Sequence, residues 1–117
     1  MHALIIEDES LIAMAIEDAL RDCGFTSFDV AVSAEEAVTA AARKCPDLIT
    51  ADVELRPGCG IKAVQSICSE QQIPVLFITG SPGEVRIRMP GYALVEKPFS
   101  AENIVETIKL TLSNENG

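Results

Sequence analysis

Leu48-Ile49-Thr50-Ala51-Asp52-Val53-Glu54 is the stretch that decides the architecture of this chain. Its first four residues suit an apolar interior on both parities, which is the pattern of a strand covered on both faces in the middle of a parallel sheet. The run then stops on a carboxylate. Such a strand needs helices over both its faces, so the flanking sequence should alternate strand and helix.

On the N-terminal side, Ala3 to Ile6 is a short β-type run, and Ser10 is placed to cap a helix in which Ile12, Ile16 and Leu20 share one face until Gly24 stops it. Phe28 to Val32 predicts a second strand. Ser33 and Glu36 then stand at capping-box spacing before an Ala-rich helix reaching Lys44, and Pro46 ends it. On the C-terminal side, a loop with Pro57, Gly58 and Gly60 leads into a helix from Ile61 to Glu70. Pro74 to Ile78 is a fourth strand, ending on Thr79-Gly80.

The segment from Ser81 to Gly91 holds Pro82, Gly83, Pro90 and Gly91, which predicts a fourth helix that is short or irregular. Tyr92 to Glu96 makes a fifth strand, Lys97-Pro98-Phe99 turns the chain, and Ser100 caps a last helix carrying Ile104, Ile108 and Leu112 on one face. The polar residues 113–117 are expected to fray. No linker or repeat interrupts this alternation, so residues 1–117 read as one (βα)5 domain with no output domain attached.

The chain has 117 residues, nine Lys plus Arg against eighteen Asp plus Glu, and a net charge of −9. With 48% hydrophobic residues it is too apolar for an acidic disordered segment. The acidic balance, with no cluster of Lys and Arg, argues against direct nucleic-acid or anionic-membrane partners. No apolar run is long enough to span a bilayer and the N-terminus lacks a signal-peptide layout, so a cytoplasmic location is expected. Cys23, Cys45, Cys59 and Cys68 contain no C-x-x-C and have only His2 to join them, which predicts free thiols rather than a metal site.

In an open parallel sheet, ligands bind beyond the carboxyl ends of the strands where strand order reverses. The residues ending strands here are Glu7 and Asp8, Asp52, Thr79 and Lys97. With the order 2-1-3-4-5, the first and third strands are neighbours and Glu7, Asp8 and Asp52 converge. Carboxylates so crowded share protons or bind a hard cation, for which oxygen ligands favour Mg²⁺ or Mn²⁺. Lys97 adds a compact positive charge and Thr79 a hydroxyl, giving a pocket for one phosphoryl group beside a metal, with a carboxylate as nucleophile.

These residues, in this order, make the chain resemble the receiver domain of two-component response regulators over essentially its full length. Glu7-Asp8 matches the family's acidic pair, Asp52 in Thr50-Ala51-Asp52-Val53 its phosphoacceptor, Thr79 in Phe77-Ile78-Thr79-Gly80 its switch hydroxyl, and Lys97 in Lys97-Pro98-Phe99 its basic residue. The resemblance implies the flavodoxin-like three-layer fold and a signalling switch rather than an enzyme, acting in a two-component system or phosphorelay. It implies that Asp52 takes a phosphoryl group from a histidine kinase or histidine phosphotransferase. It also implies Mg²⁺ held by Asp8, Asp52, the Glu54 backbone carbonyl and Glu7 through water, and a cis Lys97-Pro98 bond. The Glu54 side chain, two residues past Asp52, has two readings open to it: a solvated loop residue, or one that reaches the pocket and tunes the lifetime of the phosphoryl group.

The chain departs from the family pattern in two places. Leu94 stands where receivers usually carry an aromatic, with Tyr92 on the same strand parity, and the segment from Thr79 to Lys97 is short. Both lie on the face that family members commonly use to dock partners, so a remodelled output surface is expected. Phe77-Ile78-Thr79-Gly80 with a reduced fourth helix resembles the variant receivers of alphaproteobacterial general-stress signalling. Three other readings compete. Asp52-Val53-Glu54 resembles the D-x-D motif of aspartyl-phosphate phosphohydrolases, though that motif normally follows a first strand. A flavin carrier would find Glu7-Asp8-Glu9 repelling its phosphate. A pseudo-receiver, binding partners without phosphorylation, would have no need of Asp8, Asp52, Thr79 and Lys97 together.

Overall fold

The computed structural model describes residues 1–55, 58–69 and 71–116. Pro57, expected in the loop after Asp52, Glu70, expected at the end of the third helix, and Gly117 lie outside the described residues. The elements run β1 (His2–Ile6), α1 (Ser10–Asp22), β2 (Ser27–Ala31), α2 (Ala34–Arg43), β3 (Leu48–Ala51), α3 (Gly60–Ile67), β4 (Val75–Thr79), α4 (Pro82–Arg88), β5 (Ala93–Glu96) and α5 (Ala101–Asn116). The five strands pair in parallel in the order β2-β1-β3-β4-β5.

Side-chain parity splits the interior in two. Ala3, Ile5 and Leu48 pack with Ala13, Ile16 and Leu20 of α1 and with Ile104 and Ile108 of α5. Leu4, Ile6, Ile49 and Ala51 face Ala37 and Ala40 of α2, Ile61 and Val64 of α3, and Val85 of α4. Leu48, Ile49 and Ala51 are all essentially inaccessible, as a strand covered on both faces requires. Each such Leu or Ile contributes about 1.5–3 kcal/mol by leaving water.

Several boundaries differ from the expected ones for local reasons. Glu9, not Ser10, occupies the N-cap of α1, because the Glu7 carboxylate takes the Glu9 N–H at 3.2 Å and turns the chain one residue earlier. β2 stops at Ala31 because the Val32 N–H turns to the Glu36 carboxylate at 3.3 Å, while Ser33 Oγ accepts the Glu36 N–H at 3.2 Å, so the expected cap forms. α3 ends at Ile67, before the expected limit, where the Ser69 hydroxyl donates to the Ser66 carbonyl at 2.8 Å. β4 starts at Val75 and reaches Thr79, which pairs with Glu96. Tyr92 falls outside β5 because its N–H turns back to the Met89 carbonyl. α5 continues to Asn116 through residues expected to fray, each added turn residue gaining a backbone hydrogen bond.

α4 is the short fourth helix that the sequence predicts, with seven residues. The prolines that read as breakers punctuate it: Pro82 occupies the first turn, where its missing N–H costs nothing, and Pro90 follows the C-cap Met89. Glu84 near its start and Arg86 and Arg88 near its end complement the helix dipole. Tyr92 and Leu94 do share a face, and the Tyr92 ring meets Phe77 edge-on at 5.8 Å.

Candidate functional site

The ends of β1 and β3 are locked side by side: the Asp52 N–H donates to the Ile6 carbonyl at 3.0 Å, and the Glu7 N–H to Ala31 at 2.9 Å. This brings the residues that follow each strand to one edge. Glu7, Asp8 and Asp52 each present a carboxylate oxygen within 4.8 Å of the others. The Lys97 ammonium, delivered by the turn after β5, donates to Glu7 Oε1 at 2.9 Å and to Asp52 Oδ2 at 2.8 Å. The Lys97–Pro98 bond is cis, as the resemblance implies.

Three negative charges thus face one positive charge in a partly desolvated corner. Glu7 is 1% exposed, and burial raises its pKa above the ordinary 4.5, with the Asp52 charge adding to the rise and Lys97 opposing it. For Lys97, burial acts to lower the pKa, but hydrogen bonds to Asp52 and Glu7 and their charges outweigh it and raise the value above 10.5. Both Glu7 oxygens are already engaged, one by Lys97 and the other by the Glu9 N–H. Asp8, half-buried, has no hydrogen-bond or ion-pair partner among the described residues.

An open cleft of about 400 Å³ lies over these groups, lined by Asp8, Glu9, Asp52, Glu54, Gly80 and Lys97. Glu9 and Gly80 were not singled out from sequence, although both directly follow strand-end residues that were. The Glu54 N–H donates to Asp52 Oδ1 at 3.2 Å, and the Glu54 carboxylate accepts the Ser81 hydroxyl. Thr79 is fully buried at the end of β4, and its hydroxyl oxygen accepts the Ser81 N–H at 3.0 Å instead of meeting the carboxylates. Ser81 therefore touches two of the expected site residues, and only its place two residues past a strand end could have marked it.

Gly60 has a role that sequence spacing does not reveal. A Cβ there would lie 1.7 Å from the Asp52 carbonyl oxygen, so only glycine lets α3 begin this close to the strand end. The donor set, all hard carboxylate oxygens with one of them unpartnered, fits Mg²⁺ or Mn²⁺. The arrangement as a whole can hold a cation and an anionic group side by side, with Lys97 compensating the anion and Asp52 within reach as a nucleophile.

The profile of the response regulator receiver domain family matches residues 3–109. The phyllosphere-induced regulator PhyR of Methylorubrum extorquens is 39% identical over 93% of the chain, which spans 42% of that protein. A variant of the anti-anti-sigma factor PhyR from Bartonella quintana superposes with a TM-score of 0.87 at 37% identity, covering 99% of the chain and 50% of its own. The receiver domain of PhyR from Erythrobacter litoralis gives a TM-score of 0.87 at 36% identity, over 99% of the chain and 92% of that domain. The chain thus spans about half the length of the full regulators it matches, and nearly all of an isolated receiver domain.

Proposed function

Because the chain belongs to the response regulator receiver family, we propose that it is a phosphoacceptor switch in which Asp52 takes a phosphoryl group from a phosphohistidine on a kinase or phosphotransfer protein. The observation that carries this reading is the Lys97 ammonium bonded at once to Asp52 and Glu7, beside the unpartnered Asp8, under an open cleft. An Asp52 carboxylate oxygen forms the new bond to phosphorus as the donor's P–N bond breaks, and the imidazole leaves with its electron pair and takes up a proton. Lys97 stays with the transferred oxygens, exchanging part of its ion pair with Asp52 for one with the phosphoryl group.

Asp8 and Asp52, with the Glu54 carbonyl and Glu7 through water, would hold Mg²⁺, which supplies charge neutralisation for the transferring oxygens. Thr79, buried behind Ser81, would turn its hydroxyl to the phosphoryl group. The signal then passes by protein contacts through the face of α4 and β5, where the short α4 and Leu94 depart from the family pattern. Relatives named PhyR, one described as an anti-anti-sigma factor and another as a stress response regulator, support placing that output in general-stress signalling. No helix of the described residues is long and apolar enough to cross a membrane.

The test is incubation with acetyl phosphate and Mg²⁺, read by intact mass. One phosphoryl adduct that disappears in Asp52→Asn is expected. No adduct under any phosphodonor would defeat the reading, and rapid turnover of generic phosphate esters would favour a phosphohydrolase.

A further inference from the structure

We propose that α4 is held to the loop after Asp52 by a two-point polar clamp, Ser81 to Glu54 at its head and Arg88 to Cys59 at its tail, and that this clamp restrains switching. The proposal rests on the phosphoacceptor reading above. It starts from how little else holds the helix. α4 has seven residues, too few to be stable alone, and Val85 is its buried residue. A Cβ at Gly83 would meet nothing within 4 Å, and Ile87 is 82% exposed.

The polar ties are correspondingly prominent. The Ser81 hydroxyl makes no capping bond to its own helix and donates instead to Glu54 Oε1. Arg88 Nη1 donates to Glu84 Oε1 at 3.1 Å and reaches Cys59 Sγ at 3.7 Å. Glu54 and Cys59 are themselves paired by an antiparallel bridge, so the two anchor points are tied to each other. Their loop begins at the phosphoacceptor, where the Glu54 N–H donates to Asp52 Oδ1 at 3.2 Å.

Ser81 is the junction of the arrangement. Its N–H holds the Thr79 hydroxyl oxygen at 3.0 Å while its own hydroxyl is held by Glu54. For Thr79 to swing toward Asp52, the Ser81 amide must release it. Ser81 is free to move only once its hydroxyl leaves Glu54. Because the Glu54 N–H is bonded to Asp52 Oδ1, a phosphoryl group on Asp52 would bear directly on the residue that holds Ser81, which makes Glu54 and Ser81 positioning residues that couple the acceptor to α4.

The experiment compares amide hydrogen exchange in α4 of the metal-free protein with binding of beryllofluoride in Mg²⁺. Ser81→Ala is expected to speed exchange at Glu84 to Arg88 and to tighten beryllofluoride binding, each about fivefold, the order of one net hydrogen bond. Ser81→Thr restores the hydroxyl and should restore both. In exchange alone, Glu54→Gln keeps an acceptor oxygen and should leave α4 near wild type, whereas Glu54→Ala should speed α4 exchange as Ser81→Ala does, which separates the bond from the loss of a charge; beryllofluoride binding is compared only in the Ser81 variants, because Glu54 itself lines the cleft. Exchange at Leu76 to Ile78 in β4 should not change, confirming an intact core. Wild-type exchange and binding in Ser81→Ala, or Glu54→Gln indistinguishable from Glu54→Ala in exchange, would overturn the clamp. Failure of the wild type to bind beryllofluoride would defeat the phosphoacceptor reading instead, and the exchange measurements would still decide whether the clamp exists.

Discussion

At the carboxyl ends of β1, β3 and β5, three carboxylates crowd one ammonium under an open cleft. At the opposite end of the same sheet, His2, Ser27, Asp29, Lys44 and Asp47 form another ionisable cluster with a different balance. The His2 ring, buried, has Nε2 3.0 Å from Asp29 Oδ2 and Nδ1 2.7 Å from Ser27 Oγ. Lys44 donates to the same serine oxygen at 3.0 Å, and the His2 N–H donates to Asp47 at 2.7 Å. Each ring nitrogen of His2 thus has a partner, and the Ser27 oxygen also accepts from Lys44. One cluster is closed on itself and staples the edge strand β2 to β1. The other is left with surplus charge and an unpartnered carboxylate, as a site awaiting a cation would be.

The contrast breaks most visibly at Lys97. Lys97→Ala removes the one cation bonded to Glu7 and Asp52 among the described residues, the two acids' side chains being 0% and 5% exposed. Losing one partner of a buried ion pair costs about 3–5 kcal/mol, so urea denaturation at neutral pH should show a loss of that order. Because the folded-state pKa of Lys97 lies above 10.5, its contribution is fully present below that pH and is lost as pH rises through the raised value. The variant should lack this alkaline step. Glu7 acts in the reverse sense to most acids: its pKa is raised above 4.5, so its contribution is largest below that pH and fades as pH climbs through the raised value.

The closed cluster should respond less. His2→Ala leaves the Asp29 carboxylate and the Ser27 hydroxyl each short of a partner, a cost of about 1–3 kcal/mol. Thermal denaturation measures it, and Mg²⁺ affinity should stay at the wild-type value. If His2→Ala destabilised as much as Lys97→Ala, or weakened Mg²⁺ binding, the two ends of the sheet would not be independent and the comparison would fail.

The open cluster was legible in sequence and the closed one was not, for a physical reason. Glu7, Asp8, Asp52 and Lys97 each follow a strand, and the topology of a parallel sheet alone carries strand ends to one edge. His2 and Ser27 meet through register, His2 opposite Ser27, and Lys44 reaches them from the end of α2; no rule of spacing gives those distances. The same limit explains Ser81 and Gly60. Ser81 matters because of how a side chain turns, and Gly60 because the backbone of Asp52 passes 1.7 Å from where a Cβ would stand. The fourth helix was legible as short but not as well punctuated, because Pro82 reads as a breaker until its first-turn position is known.

Asp8 gives the smallest effect and the one whose sign is most informative. Its carboxylate lies with Glu7 and Asp52 and has no partner among the described residues. Without metal it only adds repulsion, offset in part by nearby Lys97 and screened through the open cleft that Asp8 lines, so the net effect is on the order of 1 kcal/mol. Asp8→Asn should therefore stabilise the metal-free protein slightly, by up to about 1 kcal/mol, while abolishing the rise in melting temperature that Mg²⁺ gives the wild type. An acidic residue placed for the fold would behave the other way, losing stability on neutralisation with or without Mg²⁺. A melting curve of Asp8→Asn below wild type in chelator would therefore count the carboxyl-end cluster as structural, like its counterpart at the other end of the sheet.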